Sequence, residues 1–265
     1  MLKWAGGKSR LLPELLARLP DSFGAYHEPF VGGGALFFAL AGAGWLGRVY
    51  LSDANAALID VYLALRDDVE GVIAALGHHH YERDYYYRVR AQSPDDLSLP
   101  ERAARVIYLN KTCYNGLYRE NRAGQFNVPF GRYKNPTICD EPNLRAVSAT
   151  LRDVDITRRR FDTVLDYAKP GDFVYFDPPY VPLSATANFT SYDRAGFGPD
   201  DQRQLSHVFA ELARRGVRAM LSNSDTPFVR ELYAGFSVEQ VFAARAVNSK
   251  ANGRGKVAEV LVTNY

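Results

Sequence analysis

Apolar residues along this chain recur at two spacings that take turns, helical and extended, and that alternation predicts a doubly wound, mostly parallel sheet. Leu11, Leu12, Leu15, Leu16 and Leu19 fall at helical spacing and predict a helix from Ser9 to Leu19, stopped by Pro20. Tyr26 to Val31 predicts a short strand running into a glycine turn, Ala35 to Ala41 the helix after it, and Val49 to Leu51 a brief strand ending at Asp53. From about Leu58 to Val147 the rhythm changes. Leu58, Val61, Tyr62, Leu65, then Val69, Val72, Ile73 and Leu76 keep helical spacing, and Ala103 to Leu109 continues it. Turn signals at Asn115 with Gly116 and at Ala123 with Gly124, followed by alternating Phe126, Val128 and Phe130, predict a β-hairpin carried on this helical stretch. The α/β rhythm resumes at Phe161 to Leu165. Phe173 to Phe176 predicts a buried strand, Pro199 to Arg214 a helix with Leu205, Val208, Phe209 and Leu212 on its apolar face, and Val217 to Leu221 a strand. Val238 to Val247 and Val257 to Val262 predict a closing antiparallel hairpin around a Gly-rich basic loop. The expected fold class is α/β: residues 1–57 and 148–265 form a Rossmann-like sheet, and 58–147 form an inserted helical module with a β-hairpin.

Composition changes this picture little. At 265 residues and a formal net charge of +2, the chain is long enough to bury a core and too nearly neutral to declare a polyanionic partner by its total charge. Distribution says more. Arg102, Arg105, Lys111, Arg119, Arg122, Arg132 and Lys134 face a single acid, Glu120, over their stretch, and Arg245, Lys250, Arg254 and Lys256 form a second basic island. Such islands suit a phosphate-facing surface. Cys113 and Cys139 are too few for a disulfide framework. The tract His78, His79 and His80 lacks partners at metal-site spacing, so it reads as a solvated helix end and no metal is expected. With no signal peptide and no apolar run of membrane-crossing length, the expectation is a cytoplasmic protein without a membrane partner.

The chemistry concentrates where the Phe173 to Phe176 strand ends, at Asp177, Pro178, Pro179 and Tyr180. Ligands bind at the carboxyl ends of strands in open α/β sheets. Two prolines stiffen the tetrapeptide, Asp177 and the Pro178 carbonyl offer two acceptors, and Tyr180 offers a flat face for stacking. That set suits an amino group on a nucleobase, a poor nucleophile until both N–H bonds are held and its lone pair is turned toward a methyl donor. Glu28, Pro29, Phe30, Val31, Gly32, Gly33 and Gly34 sit at a strand-to-helix turn. Asp53 follows the glycines by about 20 residues, the interval at which nucleotide-binding folds offer a carboxylate to ribose hydroxyls. Gly7, Lys8 and Ser9 invite a phosphate-loop reading, but Leu2 stands where that motif requires glycine. Trp4 and Lys8 suit a pocket wall presenting a flat face and a cation. Tyr108, Tyr114, Tyr118, Phe126 and Phe130 interleave with Lys111, Arg119, Arg122 and Arg132, a mixture fit to read and wedge bases.

Together these residues resemble the DNA adenine methyltransferases of the Dam type, over nearly the whole chain. The resemblance rests on Lys3 to Lys8, Glu28 to Gly34, Tyr114 to Leu117 with Arg119, Phe126 to Gly131, Asp177 to Tyr180 and Pro182 to Thr190. Lys111 and Thr112 precede Tyr114 where the family usually has other residues, and Gly33 makes a triple glycine. What the resemblance implies is a class I methyltransferase sheet, S-adenosylmethionine as cofactor and double-stranded DNA as partner, with adenine N6 of GATC flipped into the site of a monomeric enzyme, nucleoid-associated if the source is bacterial. It implies that Trp4, Ala5, Gly6, Lys8, Glu28, Phe30, Gly32, Gly34, Asp53 and Asp177 surround the cofactor, with Trp4 and Lys8 near its methionyl end and Asp53 on its ribose. It implies Lys3 near the first guanine, Tyr114 and Asn115 filling the gap left by the flipped base, and Leu117, Arg119 and Pro129 on the outer pairs. Asn121, Arg132 and Lys134 complete the DNA-facing set.

Overall fold

The computed structural model describes residues 2–4, 7–8, 10–45, 47–121, 123–182, 197–244 and 256–265. Its strands are β1 (Tyr26–Glu28), β2 (Val49–Asp53), β3 (Asp155–Arg158), β4 (Phe173–Phe176), β5 (Arg218–Ser224), β6 (Ser237–Ala244) and β7 (Lys256–Thr263). They form one sheet in the order β3-β2-β1-β4-β5-β7-β6. β3, β2, β1, β4 and β5 are mutually parallel, and β7 runs antiparallel to both β5 and β6. Every residue of β4 is buried, which is why its sequence is an unbroken apolar run. Alternation still sorts its side chains. Phe173 and Tyr175 join the core shared with the inserted helices, whereas Val174 and Phe176 join the core under the opposite face.

The helices are α1 (Leu12–Leu16), α2 (Ala35–Gly42), α3 (Ala56–Asp67), α4 (Val69–Gly77), α5 (Arg83–Ala91), α6 (Leu99–Thr112), α7 (Glu141–Leu151), α8 (Pro199–Arg214) and α9 (Pro227–Leu232). Several starts have a local cause. Asn55 caps α3 by accepting the Leu58 N–H at 3.0 Å, and Asp68 caps α4 through the Gly71 N–H at 2.9 Å. At α6, Glu101 reaches back to the Ser98 N–H at 2.8 Å. Within the module α6 packs on α3 and α4, while α3 also lies on β2, β3 and α7. One buried cluster runs from Leu15 and Tyr26 through Leu65 and Tyr108 to Leu151, so the helical stretch and the first half of the sheet share a core.

Four elements depart from the sequence pattern. The helix expected over Ser9 to Leu19 contracts to α1, with turns on either side and a proline at its first turn. Phe161 to Leu165, where the α/β rhythm was expected to resume, lies in a 3₁₀ turn, Phe161–Asp166, whose Phe161 and Val164 pack in the core with α8; the rhythm resumes earlier, at β3. β3 is an edge strand with Ile156 as its one buried residue, too little apolar signal to be seen. The hairpin after Tyr114 is reduced to isolated antiparallel bridges, Cys113 with Phe130 and Glu120 with Phe126. Left-handed Asn115 (φ 55°) and Gly116 (φ 64°) bend one arm before a ladder can extend. The histidine tract is not simply a solvated helix end. The His79 ring stacks on Tyr108 at 4.5 Å and its Nδ1 lies 2.8 Å from the Tyr85 hydroxyl, and burial pushes its pKa down to about 4. Among the described residues no helix is long and apolar enough to cross a membrane.

Candidate active site

Adjacent β1 and β4 lead their chains away in opposite directions along the sheet, β1 toward β2 and β4 toward β5, so a crevice opens at their carboxyl ends. Asp177 sits there at the end of β4. Lys8 Nζ lies 2.7 Å from its Oδ1, and the Ser222 hydroxyl at the end of β5 donates to the same oxygen at 3.0 Å. Burial raises the Asp177 pKa, and Lys8 and Ser222 pull it back down. The Lys8 ammonium also lies over the Tyr180 ring, 4.4 Å from its centre, and the Tyr180 hydroxyl donates to Glu259 Oε2 at 2.8 Å. Asp177, Tyr180 and Lys8 therefore form one cup, closed on one side by a carboxylate and on another by a ring.

The cup is fastened from behind by residues that sequence reasoning missed. Asn223 Oδ1 accepts the Val181 N–H at 3.1 Å, Gln202 Nε2 donates to the Pro179 carbonyl at 2.9 Å, and Asn223 Nδ2 donates to Gln202 Oε1 at 3.0 Å. Ser222, Asn223 and Gln202 are buried. A signal existed: Ser222, Asn223 and Ser224 are a polar run closing an apolar strand, and Gln202 interrupts the apolar face of α8. Buried polar groups must be paired, and these are paired with the loop that carries the chemistry.

At the end of β1, Glu28 is 2% exposed and accepts the Tyr26 hydroxyl at 2.8 Å. The glycine turn follows. Gly32 (φ 47°) and Gly34 (φ 65°) are left-handed, and a Cβ at Gly34 would come within 2.8 Å of the Tyr62 hydroxyl. Asp53, at the end of β2, accepts the Gly32 N–H at 3.2 Å and the Asn55 N–H at 2.9 Å. The Trp4 ring lies against this turn, so that a Cβ at Gly32 would meet it at 3.0 Å, and stacks obliquely on Tyr118 at 5.1 Å. Phe30, on the same turn, is half-buried and packs with Phe161, Phe176 and Phe197. The acids Glu28, Asp53 and Asp177, a tight glycine turn and an indole face at one crevice fit a cofactor with a positive centre, a ribose and a purine. Ala5 and Gly6 lie outside the described residues.

The residues expected to face DNA divide in two. Tyr114 (54% exposed), Asn115, Arg119, Pro129, Arg132 and Lys134 are exposed, and Leu117 is half-buried. Arg119 Nε donates to Asn127 Oδ1 at 2.6 Å, which steadies it at the surface. Asn121 instead builds its own turn, its Oδ1 accepting the Ala123 and Gln125 N–H groups at 2.9 and 3.0 Å. The Lys3 ammonium lies 4.5 Å from the centre of the Tyr133 ring. Arg122, residues 183–190 and the basic residues Arg245, Lys250 and Arg254 lie outside the described residues.

Comparison with known proteins gives the same direction. The sequence profile of the D12 class N6 adenine-specific DNA methyltransferases matches residues 4–247. The chain is 42% identical to the type II methyltransferase M1.LlaDCHI of Lactococcus lactis subsp. cremoris, over 99% of this chain and 94% of that one. It is also 42% identical to the type II methyltransferase M.MjaIII of Methanocaldococcus jannaschii, over 100% and 98%. With the DNA adenine methylase of Escherichia coli K12 it shares 34% identity, over 98% and 93%. Matched along nearly its full length by a family profile and by relatives of its own size, the chain belongs to the D12 class of N6 adenine-specific DNA methyltransferases, enzymes whose methyl donor is S-adenosylmethionine.

Proposed function

We propose that this enzyme, acting as a monomer, methylates adenine N6 at GATC in double-stranded DNA, with the target base flipped out of the stack. The observation that carries this reading is the seat of Lys8. An N–H donor bonded to Asp177 and lying over the Tyr180 ring meets the demands that an exocyclic amine on a stacked base would make of the same groups. A base reaches so recessed a crevice only by leaving the duplex. As it enters, Lys8 withdraws from Asp177, and its charge becomes available to an anionic group nearby.

S-adenosylmethionine, when bound, supplies an electrophilic methyl group, and Trp4, Glu28, the glycine turn and Asp53 are the residues that would hold it. The rest of the work falls to this chain's own atoms. Asp177 and the Pro178 carbonyl take one N–H bond each of the target amine, fixing the direction of its lone pair. The pinned loop from Pro178 to Val181 keeps those acceptors in place beforehand, so little reorganisation is left for the reaction itself. On methylation the nitrogen sheds one proton to Asp177 or to water. Residues 58–147 serve as the target-recognition module, with Tyr114, Asn115, Leu117, Arg119 and Pro129 at the bases beside Lys3 of the first segment, and Arg132 and Lys134 at phosphates. Plasmid DNA from cells expressing the protein tests this, digested with nucleases that distinguish methylated from unmethylated GATC: protection at GATC is expected, and cleavage as in control DNA refutes the site. Relatives named type II methyltransferases at 42% identity favour a second reading, in which the enzyme modifies another sequence on behalf of a restriction partner. Protection at a different sequence would select it.

A further inference from the structure

Asn110, in the last turn of α6, is fully buried and uses its whole amide. Its Oδ1 accepts the Lys3 N–H at 2.8 Å, while Nδ2 donates to the Lys3 carbonyl at 2.7 Å and to the Gly116 carbonyl at 2.9 Å. One side chain thus pairs with both backbone groups of Lys3, as a neighbouring strand would, and reaches the turn after Asn115 as well. The fit is close on both sides. A Cβ at Gly116 would stand 2.7 Å from Lys3 Cβ, and both Asn115 and Gly116 are left-handed. Lys3 is followed by Trp4, which rests on the glycine turn and Tyr118, and then by Lys8 on Asp177.

We propose that Asn110 is a positioning residue that couples the exposed Tyr114–Gly116 turn to the segment carrying Lys3, Trp4 and Lys8, so that engagement of the correct DNA at the turn is felt at the Asp177 cup. This rests on the reading above that Tyr114 and Asn115 face the DNA. The route is short: turn to Asn110, Asn110 to Lys3, Lys3 to its neighbour Trp4, and the Trp4 carbonyl to the Gly7 N–H, at 3.1 Å, next to Lys8. A displacement of the turn cannot leave Lys3 in place without breaking bonds to a buried amide, which have no water to replace them.

The test uses the full enzyme with Asn110→Ala and with Asn110→Asp, which keeps the acceptor for the Lys3 N–H but loses both donations. kcat and KM are measured on a target duplex and on one with a single outer base pair changed. Coupling predicts that Asn110→Ala, folded by its melting curve, lowers kcat and cuts the kcat/KM ratio between the two duplexes by about tenfold, with Asn110→Asp intermediate. A residue that only stabilised the fold would lower the melting temperature and leave that ratio at the wild-type value, which would overturn the proposal. Tyr114→Ala is run beside them. If it leaves discrimination unchanged, the DNA-facing reading of the turn fails, whatever Asn110 does. Should neither Asn110 variant fold, amide exchange of Gly7, whose N–H is held by the Trp4 carbonyl, decides in the wild-type protein: slower exchange with the target duplex than with the changed duplex supports coupling, and equal rates overturn it.

Discussion

Replacing Glu28 by Gln should remove a pH-dependent loss of stability that the wild-type protein carries. The Glu28 side chain is 2% exposed and burial pushes its pKa from an ordinary 4.5 to about 8. Across neutral pH it is therefore protonated when folded and ionised when unfolded. A folded-state pKa above the unfolded one gives a contribution that is complete below pH 4.5 and is lost as the pH climbs toward 8. The slope is about 1.4 kcal/mol per pH unit, or about 5 kcal/mol over the whole window. Gln keeps the size of the side chain and an oxygen for the Tyr26 hydroxyl, but cannot ionise. Urea unfolding without cofactor, at intervals from pH 5 to 7, should show the wild type losing about 2–3 kcal/mol relative to Glu28→Gln. Parallel stability curves for the two proteins would refute the argument and mean that Glu28 ionises in the fold as it does in water.

Other consequences are equally open to measurement. Asn223→Ala leaves the Val181 N–H and Gln202 amide without their partner and should cost about 1–3 kcal/mol of stability while lowering kcat more than it raises KM; an unchanged kcat would show that the loop behind Asp177 needs no fastening. Tyr81→Phe deletes a hydroxyl that donates to the Gly131 carbonyl at 2.6 Å and accepts the Tyr133 N–H at 2.7 Å. Since that loop carries Arg132 and Lys134, KM for DNA should rise several-fold with little change in kcat. Arg119→Ala should relax discrimination at one outer base pair, whereas Arg132→Ala should weaken binding evenly across sequences and reduce the salt slope by about one. Equal losses on every sequence for Arg119→Ala would count against base reading.

Much of this architecture is written in local pattern. The strand Phe173–Phe176, the helix Pro199–Arg214 and the closing antiparallel pair follow directly from apolar spacing, because each sends apolar side chains into the core: all of the first, Leu205, Val208, Phe209 and Leu212 of the helix, and Val241 with Val260, Leu261 and Val262 of the pair. Edge strand β3 stayed hidden because Ile156 is its sole buried residue, and the apolar residues of the 3₁₀ turn after it placed the return of the α/β rhythm a few residues late. Among site residues, Asp177 and Tyr180 follow β4 and Asp53 ends β2, where strand-to-turn junctions had pointed, while Trp4 and Lys8 reach the same crevice from the irregular segment before α1. Phe30 and Asn121 came from the resemblance, and the structure adds what holds each in place, an aromatic cluster for the one and a turn of its own for the other. Gln202, Asn223 and Asn110 could not be assigned from spacing, since each acts on a backbone segment far away in sequence. Long-range polar pairing leaves only a faint mark, a polar residue on an apolar face.

The central claim is that Asp177 and its loop direct a methyl group to adenine N6. Mass spectrometry of nucleosides from duplex DNA, incubated with S-adenosylmethionine and either the wild-type protein or Asp177→Ala, tests it directly, with DNA binding measured in parallel. The account predicts N6-methyladenine from the wild type and none from a variant that still binds DNA; N4-methylcytosine, or undiminished N6-methyladenine from Asp177→Ala, would contradict it.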